Sequence, residues 1–260
     1  MGEIFFKIIA SSSSGNCAYL RARQSNVLID AGISPRRIKN ARKELGQTLE
    51  NIDAIFLTHE HGDHCKALET LPENENMAVF ASEQTYETIV CRHPETQKFK
   101  WKVFTPGQSF SFKDLKVCTC ALPHDSSECV AYKFLAREKS ISWITDLGKP
   151  VLGAKDFAKN SNVLVLESNY CPKMLQNSNR TLRVKRRIAG THGHLSNADA
   201  ISVLQELDPD FVEQIYLAHV SRECNSVEHI SDLLKVLPEK ILQKIEIVSP
   251  FDGSKNPFSF

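Results

Sequence analysis

No apolar run in this 260-residue chain approaches the roughly 18 residues a membrane span requires, so a soluble protein is expected. None of the eight cysteines, at positions 17, 65, 91, 118, 120, 129, 171 and 224, forms a C-x-x-C pair. That argues against a structural zinc site or a redox motif and leaves free thiols in a reducing cytoplasm as the expectation. Cys118 and Cys120 alternate along one strand, which favours packing on a shared face over pairing. The opening Met1-Gly2-Glu3-Ile4-Phe5-Phe6-Lys7 lacks a basic segment leading into a long apolar core, so no secretory signal is expected. Phe6 stands where a myristoylation signal needs Ser or Thr. Charge of one sign is also missing: the formal net charge is +1, so an anionic partner must be met by a local patch. Neither a short-period repeat nor a linker long enough to separate domains is visible, and residues 1–260 are expected to form a single domain.

What the chain does have is Leu57-Thr58-His59-Glu60-His61-Gly62-Asp63-His64-Cys65, directly after the apolar run Ile52 to Phe56. Two histidines at i and i+2 on an extended backbone point to the same side, so His59 and His61 can share one cation. Gly62 lets the chain bend, and beyond the bend Asp63 and His64 can face a second. Imidazole nitrogen and carboxylate oxygen both suit borderline metals such as zinc or manganese. Cys65 lies past the turn and is expected as a buried neutral thiol.

Around this stretch the chain reads as two runs of strands with helices between them. Ile4 to Ile9 is a strand ending in Ala10-Ser11-Ser12-Ser13-Ser14-Gly15-Asn16, which can be an ordinary turn or a lip of donors beside an anion, with Ser14 and Asn16 as candidate phosphate contacts. Cys17 to Arg23 and Asn26 to Asp30 form a hairpin. Asp30, closing a buried strand, needs a donor and could orient a metal-binding histidine. A helix runs from Ser34-Pro35 through Gly46, with its cap and first-turn proline in place. Ile52–Leu57 feeds the histidine turn, with a short helix at Lys66–Leu71. Met77–Ala81, Ser82–Val90 and Trp101–Phe104 then alternate strand, helix, strand. Phe110–Leu122 and Val130–Ala136 read as two strands around Pro123-His124-Asp125. Ser140–Thr145 closes on Asp146-Leu147-Gly148, and Asn162–Leu166 on Glu167-Ser168-Asn169. Arg180 to Arg187 holds five basic residues in eight, either a solvated face or a phosphate track. After Thr191-His192-Gly193-His194 come a helix at about Ala198–Leu207, the strand Gln214–Ala218 delivering His219-Val220-Ser221-Arg222, a helix at Val227–Leu237 and a strand at Lys244–Val248. Two packed sheets with helices outside satisfy this order.

Taken together, T-H-E-H-G-D-H at 58–64, L-P-H-D with His124, T-D-L-G with Asp146 and L-A-H-V-S-R with His219 resemble the metallo-β-lactamase superfamily over nearly the whole chain. The resemblance implies an α/β fold, the αββα sandwich, with one or two metals at its edge. Carried onto this sequence, it implies His59, His61 and His124 on one metal, Asp63, His64 and His219 on the other, and Asp146 between them. Within the superfamily, S-S-S-G-N, L-I-D-A-G, G-H-L-S-N and H-V-S-R-E are similar to the bacterial YycJ/WalJ/VicX group, which is linked to DNA processing. The late pair H-L-S-N and H-x-S-R also resembles ribonuclease Z. This implies His194 near a scissile phosphate and Ser221 and Arg222 on substrate phosphate. There is little room in 260 residues for a cap domain, and no long arm of the kind that grips tRNA is apparent.

The expectation is therefore a phosphodiesterase with two divalent ions, zinc or manganese with iron as a further option, cleaving DNA as a 5′-to-3′ exonuclease through a metal-bridging hydroxide. Asp63 and Asp146 would orient the hydroxide, and His194 would serve the departing oxygen. Single-stranded or end-bearing DNA is the expected partner. A thioester or lactone hydrolase of the glyoxalase II type is the first alternative; a non-catalytic metal-stabilised partner protein is the second. DNA against RNA, polarity and oligomeric state stay open.

Overall fold

The computed structural model describes residues 4–46, 48, 51–250 and 252–260; the opening Met1–Glu3, where the absence of a leader was read, lies outside them. The first half runs β1 (Phe5–Ser12), β2 (Gly15–Arg21), β3 (Asn26–Ile29), α1 (Pro35–Glu44), β4 (Ala54–Phe56), α2 (Gly62–Cys65), β5 (Ala78–Ser82), α3 (Glu83–Arg92) and β6 (Lys100–Phe104). The second runs β7 (Ser109–Phe112), β8 (Leu115–Leu122), β9 (Cys129–Ala136), β10 (Lys139–Ile144), α4 (Leu152–Lys159), β11 (Val163–Glu167), α5 (Pro172–Asn177), α6 (Leu182–Ile188) and α7 (Asn197–Leu204). It closes with β12 (Gln214–Ala218), α8 (Val227–Leu234), α9 (Glu239–Leu242), β13 (Ile245–Ile247) and β14 (Phe258–Ser259).

Two mixed sheets result, in the orders β14-β1-β2-β3-β4-β5-β6 and β13-β12-β11-β10-β9-β8-β7. Antiparallel pairing joins β1 to β3 and β7 to β10; parallel pairing joins β3 to β6 and β10 to β13. Alternation along each strand sorts side chains into layers. Phe56, Val163 and Val165 enter the core between the sheets with Phe6, Tyr132 and Trp143. Ile55 and Leu57 face outward under Ile38 of α1 and Ile89 of α3, while Leu164 and Leu166 face α4, α7 and α8. Strands covered on both faces read as unbroken apolar runs, which is why β4 and β11 carry no polar position before their ends. The αββα sandwich is the fold.

Differences from the sequence reading have local causes. Phe110–Leu122 is a hairpin rather than one strand, turning at Lys113, which takes φ +50°. The apolar phase does shift there, from even positions (Phe110, Phe112) to odd ones (Leu115, Val117), with no glycine to mark the turn. The serine run is mostly strand, since β1 extends to Ser12 and pairs with Gly15. The basic run forms α6, capped by Thr181.

Candidate metal centre and hydrolytic site

The parallel strands and their neighbours end along one edge, and each delivers a polar residue there. β3 ends at Asp30, β4 leads to His59, β8 to His124, β10 to Asp146, β11 ends in Glu167, and β12 leads to His219. Three of these, Asp30 (φ +58°), Asp146 (φ +63°) and His219 (φ +54°), sit in the left-handed region. Such backbone costs on the order of 1–3 kcal/mol per residue and persists where packing over-determines it.

The side chains converge in the sets expected from the sequence. Ligand atoms of His59, His61 and His124 lie within 4.8 Å of one another, as do those of Asp63, His64 and His219. Asp146 belongs with both neighbourhoods, grouped with His59 and His64 on one side and with His194, His219 and Glu167 on the other. Outer contacts fix which nitrogen faces inward. His64 donates from Nδ1 to Asp30 Oδ2 at 2.8 Å, leaving Nε2 3.3 Å from Asp146 Oδ2. His124 donates from Nδ1 to the Gly193 carbonyl at 3.0 Å, leaving Nε2 towards Asp146 and Asp125. Imidazole ligands of metal ions are held in the same way, by a second partner on the far nitrogen. Asp30 accepts from the backbone N–H of Thr58 at 2.8 Å and its hydroxyl at 3.0 Å, so it braces the histidine turn as well as His64. Gly32, two residues on, allows the turn to touch Asp63: a Cβ there would meet the Asp63 carbonyl oxygen at 1.6 Å.

The donor set fits divalent cations on two counts. Asp146 Oδ2 and His219 Nε2 are among the buried polar atoms of the described residues that lack a hydrogen-bond partner, and these two face each other's neighbourhood in the cluster. Four carboxylates, Asp30, Asp63, Asp146 and Glu167, also converge on the histidines. Burial first, and then the neighbouring imidazoles, push His59 well below its ordinary value, which favours the neutral form that a metal ligand requires. Burial pulls His64 down too, but Asp30, Asp146 and Asp63 lift it to about 9, and His219 is likewise held well above its usual range by Asp146, Asp63 and Glu167 against its burial. Burial raises the Asp30 carboxyl, with His64 and Thr58 offsetting part of that. The carboxylates that raise the His64 and His219 imidazoles are the groups that would attract divalent cations in the place of those protons.

A cavity of about 230 Å³ opens onto these groups, lined by Ser13, His61, Asp63, His124, Asp146, Asn169, Arg180, Val184, Arg187, Ile188, His194, His219 and Ser221. His194 and Ser221 line this cavity; Asn16, Ser14 and Arg222 do not. Asn16 is fully buried and directs Nδ2 at His64 Nε2 (2.9 Å) and Asp63 Oδ2 (3.5 Å), so it touches the histidine cluster instead of the cavity. Ser14 is exposed with its carbonyl taken by Lys66, and Ser13 lines the cavity in its stead. Arg222 is exposed outside the lining, its guanidinium donating to the Pro250 carbonyl at 2.8 Å. His192 is exposed beside Thr191. Cys65 is buried, its thiol pushed up to about 12 by burial first and by nearby carboxylates.

Glu167 is the residue the sequence reading passed over. It is fully buried, and Oε1 lies 2.8 Å from Nδ1 of both His194 and His219, while Oε2 accepts from the backbone N–H groups of Leu147 and Leu195 at 3.1 Å. Its carboxyl is held far below the usual range, against its burial, by His194 and His219. The signal was present: like Asp30, it is an acid closing a buried apolar strand.

An edge of converging histidines and carboxylates on an αββα sandwich defines a metal-dependent hydrolase. The family model described as the β-lactamase superfamily domain matches residues 25–220. The exodeoxyribonuclease YycJ of Bacillus anthracis is 32% identical over 228 residues, covering 86% of this chain and 85% of that protein. The exodeoxyribonuclease WalJ of Streptococcus pneumoniae is 31% identical over 245 residues, covering 91% and 89%. Among solved structures, the metallo-β-lactamase fold protein YhfI of Bacillus subtilis superposes with a TM-score of 0.72 at 14% identity, covering 99% of each chain. The chain belongs to the metallo-β-lactamase superfamily and, within it, to the group that contains YycJ and WalJ.

Proposed function

We propose that the chain is a two-metal phosphodiesterase that degrades DNA from an end, as a 5′-to-3′ exonuclease, through its residues 1–260 acting as one domain. The observation that carries this reading is the pairing of the two ligand sets around Asp146 with His194 on the wall of the same cavity. His59, His61 and His124 would hold one divalent ion and Asp63, His64 and His219 the other, with Asp146 shared; zinc or manganese suits these donors, and iron is compatible. When bound, such ions supply an activated water and neutralise charge on the phosphoryl oxygens. Asp63 and Asp146 line the same cavity and would orient the attacking water. Glu167 accepts from Nδ1 of His194 and so fixes the ring, leaving Nε2 to pass a proton to the departing oxygen. Ser221 lines the cavity as a phosphate contact. Arg222 serves the same anion from outside the lining, in exchange for its bond to Pro250. That both relatives are exodeoxyribonucleases supports DNA as the substrate. No helix among the described residues is long and apolar enough to cross a membrane, and the eight free cysteines suit a reducing, cytoplasmic setting.

Turnover of three substrates with added Mn²⁺ or Zn²⁺ tests the reading: 5′-phosphorylated single-stranded DNA, bis-para-nitrophenyl phosphate and S-lactoylglutathione. Cleavage of the DNA with no thioester turnover is expected. Thioester turnover without phosphodiester cleavage would sink the proposal.

A further inference from the structure

Between Glu167 and Asp199 the chain has no carboxylate, yet it carries Lys173, Arg180, Arg183, Lys185, Arg186 and Arg187. Against a formal net charge of +1 for the whole chain, this is a local concentration of positive charge. The structure divides the arginines by what they touch. Arg187 pairs with Asp125, the neighbour of His124. Arg180 pairs through Nε with Glu223 at 2.9 Å, two residues past Ser221. These two ion pairs fasten α6 at both ends to the loops that flank the cavity. Arg183 and Arg186 are exposed, and among the described residues neither has an ion-pair or hydrogen-bond partner.

α6 is also a wall of the cavity, through Val184, Arg187 and Ile188. Around a helix axis at about 100° per residue, Arg183 stands about 40° from Arg187 and Arg186 about 60° beyond it. The three form a band of guanidinium groups that starts at the cavity and leads outward over the helix. Arg186 in the last turn suits the helix dipole, but Arg183 in the first turn opposes it and repels Arg186 at i+3, so the stability of α6 does not account for the pair. Guanidinium is suited to bidentate contact with phosphate oxygens.

We infer that Arg183 and Arg186 hold backbone phosphates of a nucleic-acid strand whose scissile bond lies in the cavity, making the site selective for strands over dinucleotides. The inference rests on the phosphodiesterase reading above. Arg180 and Arg187 position the helix, and the unpaired pair reads strand length.

The test is equilibrium binding of a fluorescent, phosphorothioate single strand of about 20 nucleotides by anisotropy, repeated across salt concentrations. Arg183→Gln/Arg186→Gln should weaken binding about tenfold and flatten the log–log salt slope by about 1.4, at roughly 0.7 per single-strand phosphate. Gln avoids placing a negative charge in the last helical turn. A matched variant, Arg36→Gln/Lys39→Gln, removes two exposed cations of α1 outside the cavity lining and should change neither quantity. The ratio of kcat/KM for the unmodified strand to that for a dinucleotide should also fall about tenfold in the α6 variant. Binding within twofold of the parent, or an equal loss in the α1 variant, overturns the inference. A parent that binds the strand through these arginines but cleaves no phosphodiester preserves this inference and removes the activity proposed above.

Discussion

Glu167 Oε1 lies 2.8 Å from Nδ1 of His194, and the same oxygen lies 2.8 Å from Nδ1 of His219. One buried carboxylate therefore orients both the cavity histidine and a candidate metal ligand. Glu167→Gln keeps the shape but sets an amide where an acceptor is needed for two rings and two backbone N–H groups. The expected result is a fall in kcat of about 10²–10⁴ with KM on DNA little changed. Metal affinity should also drop about 10–100-fold through His219. Steady-state kinetics and metal analysis check the two effects separately; a variant with normal kcat and normal metal content contradicts the role given to Glu167.

His61→Ala removes one of three nitrogens from the first ligand set and leaves Asp63, His64 and His219 in place. Elemental analysis of the purified variant should find about one divalent ion per chain where the parent holds about two. Unchanged stoichiometry would contradict the ligand assignment.

Asp30 accepts from Thr58 N–H, Thr58 Oγ1 and His64 Nδ1 with no exposure to solvent. Asp30→Ala strands those donors in the interior, at a cost of about 3–5 kcal/mol. Alanine must also adopt the left-handed backbone that Asp30 occupies at φ +58°. Urea unfolding should show the midpoint falling accordingly, with Asp30→Asn less affected. A midpoint equal to that of the parent would mean that the turn is braced elsewhere.

Gly32→Ala tests the contact between the two loops from the backbone side. Since the added Cβ would meet the Asp63 carbonyl at 1.6 Å, Asp63 or the Asp30 turn must move. Loss of metal from the second ligand set is expected, read as a lower ion count in folded protein. A folded variant with full metal content contradicts the packing described.

Much of this was legible in the chain itself because strand ends advertise their function. His59, His61, Asp63 and His64 stand within six residues, so their spacing alone places them on one turn. Asp30 was legible from burial logic, an acid ending an apolar strand, and the same logic applied to Glu167 finds the site's fourth carboxylate. The residues proposed as phosphate contacts were less legible because one-residue register decides which side chains reach the cavity. Ser13 and Ser14 are chemically alike and both exposed in the β1–β2 turn, but Ser13 lines the cavity and Ser14 does not. Arg222 follows Ser221 directly, yet successive residues point apart and its guanidinium reaches Pro250. The basic helix α6 carried no sequence signal for its place, since Asp125 and Glu223, which fasten it, are distant in sequence.

The most direct test of the two-metal phosphodiesterase is a titration of metal-free protein with Mn²⁺, following cleavage of 5′-phosphorylated single-stranded DNA. Activity should rise and level off at about two equivalents per chain, as a site that clamps the attacking and leaving oxygens with a pair of ions requires. A plateau at one equivalent, or cleavage that is indifferent to metal, would contradict it.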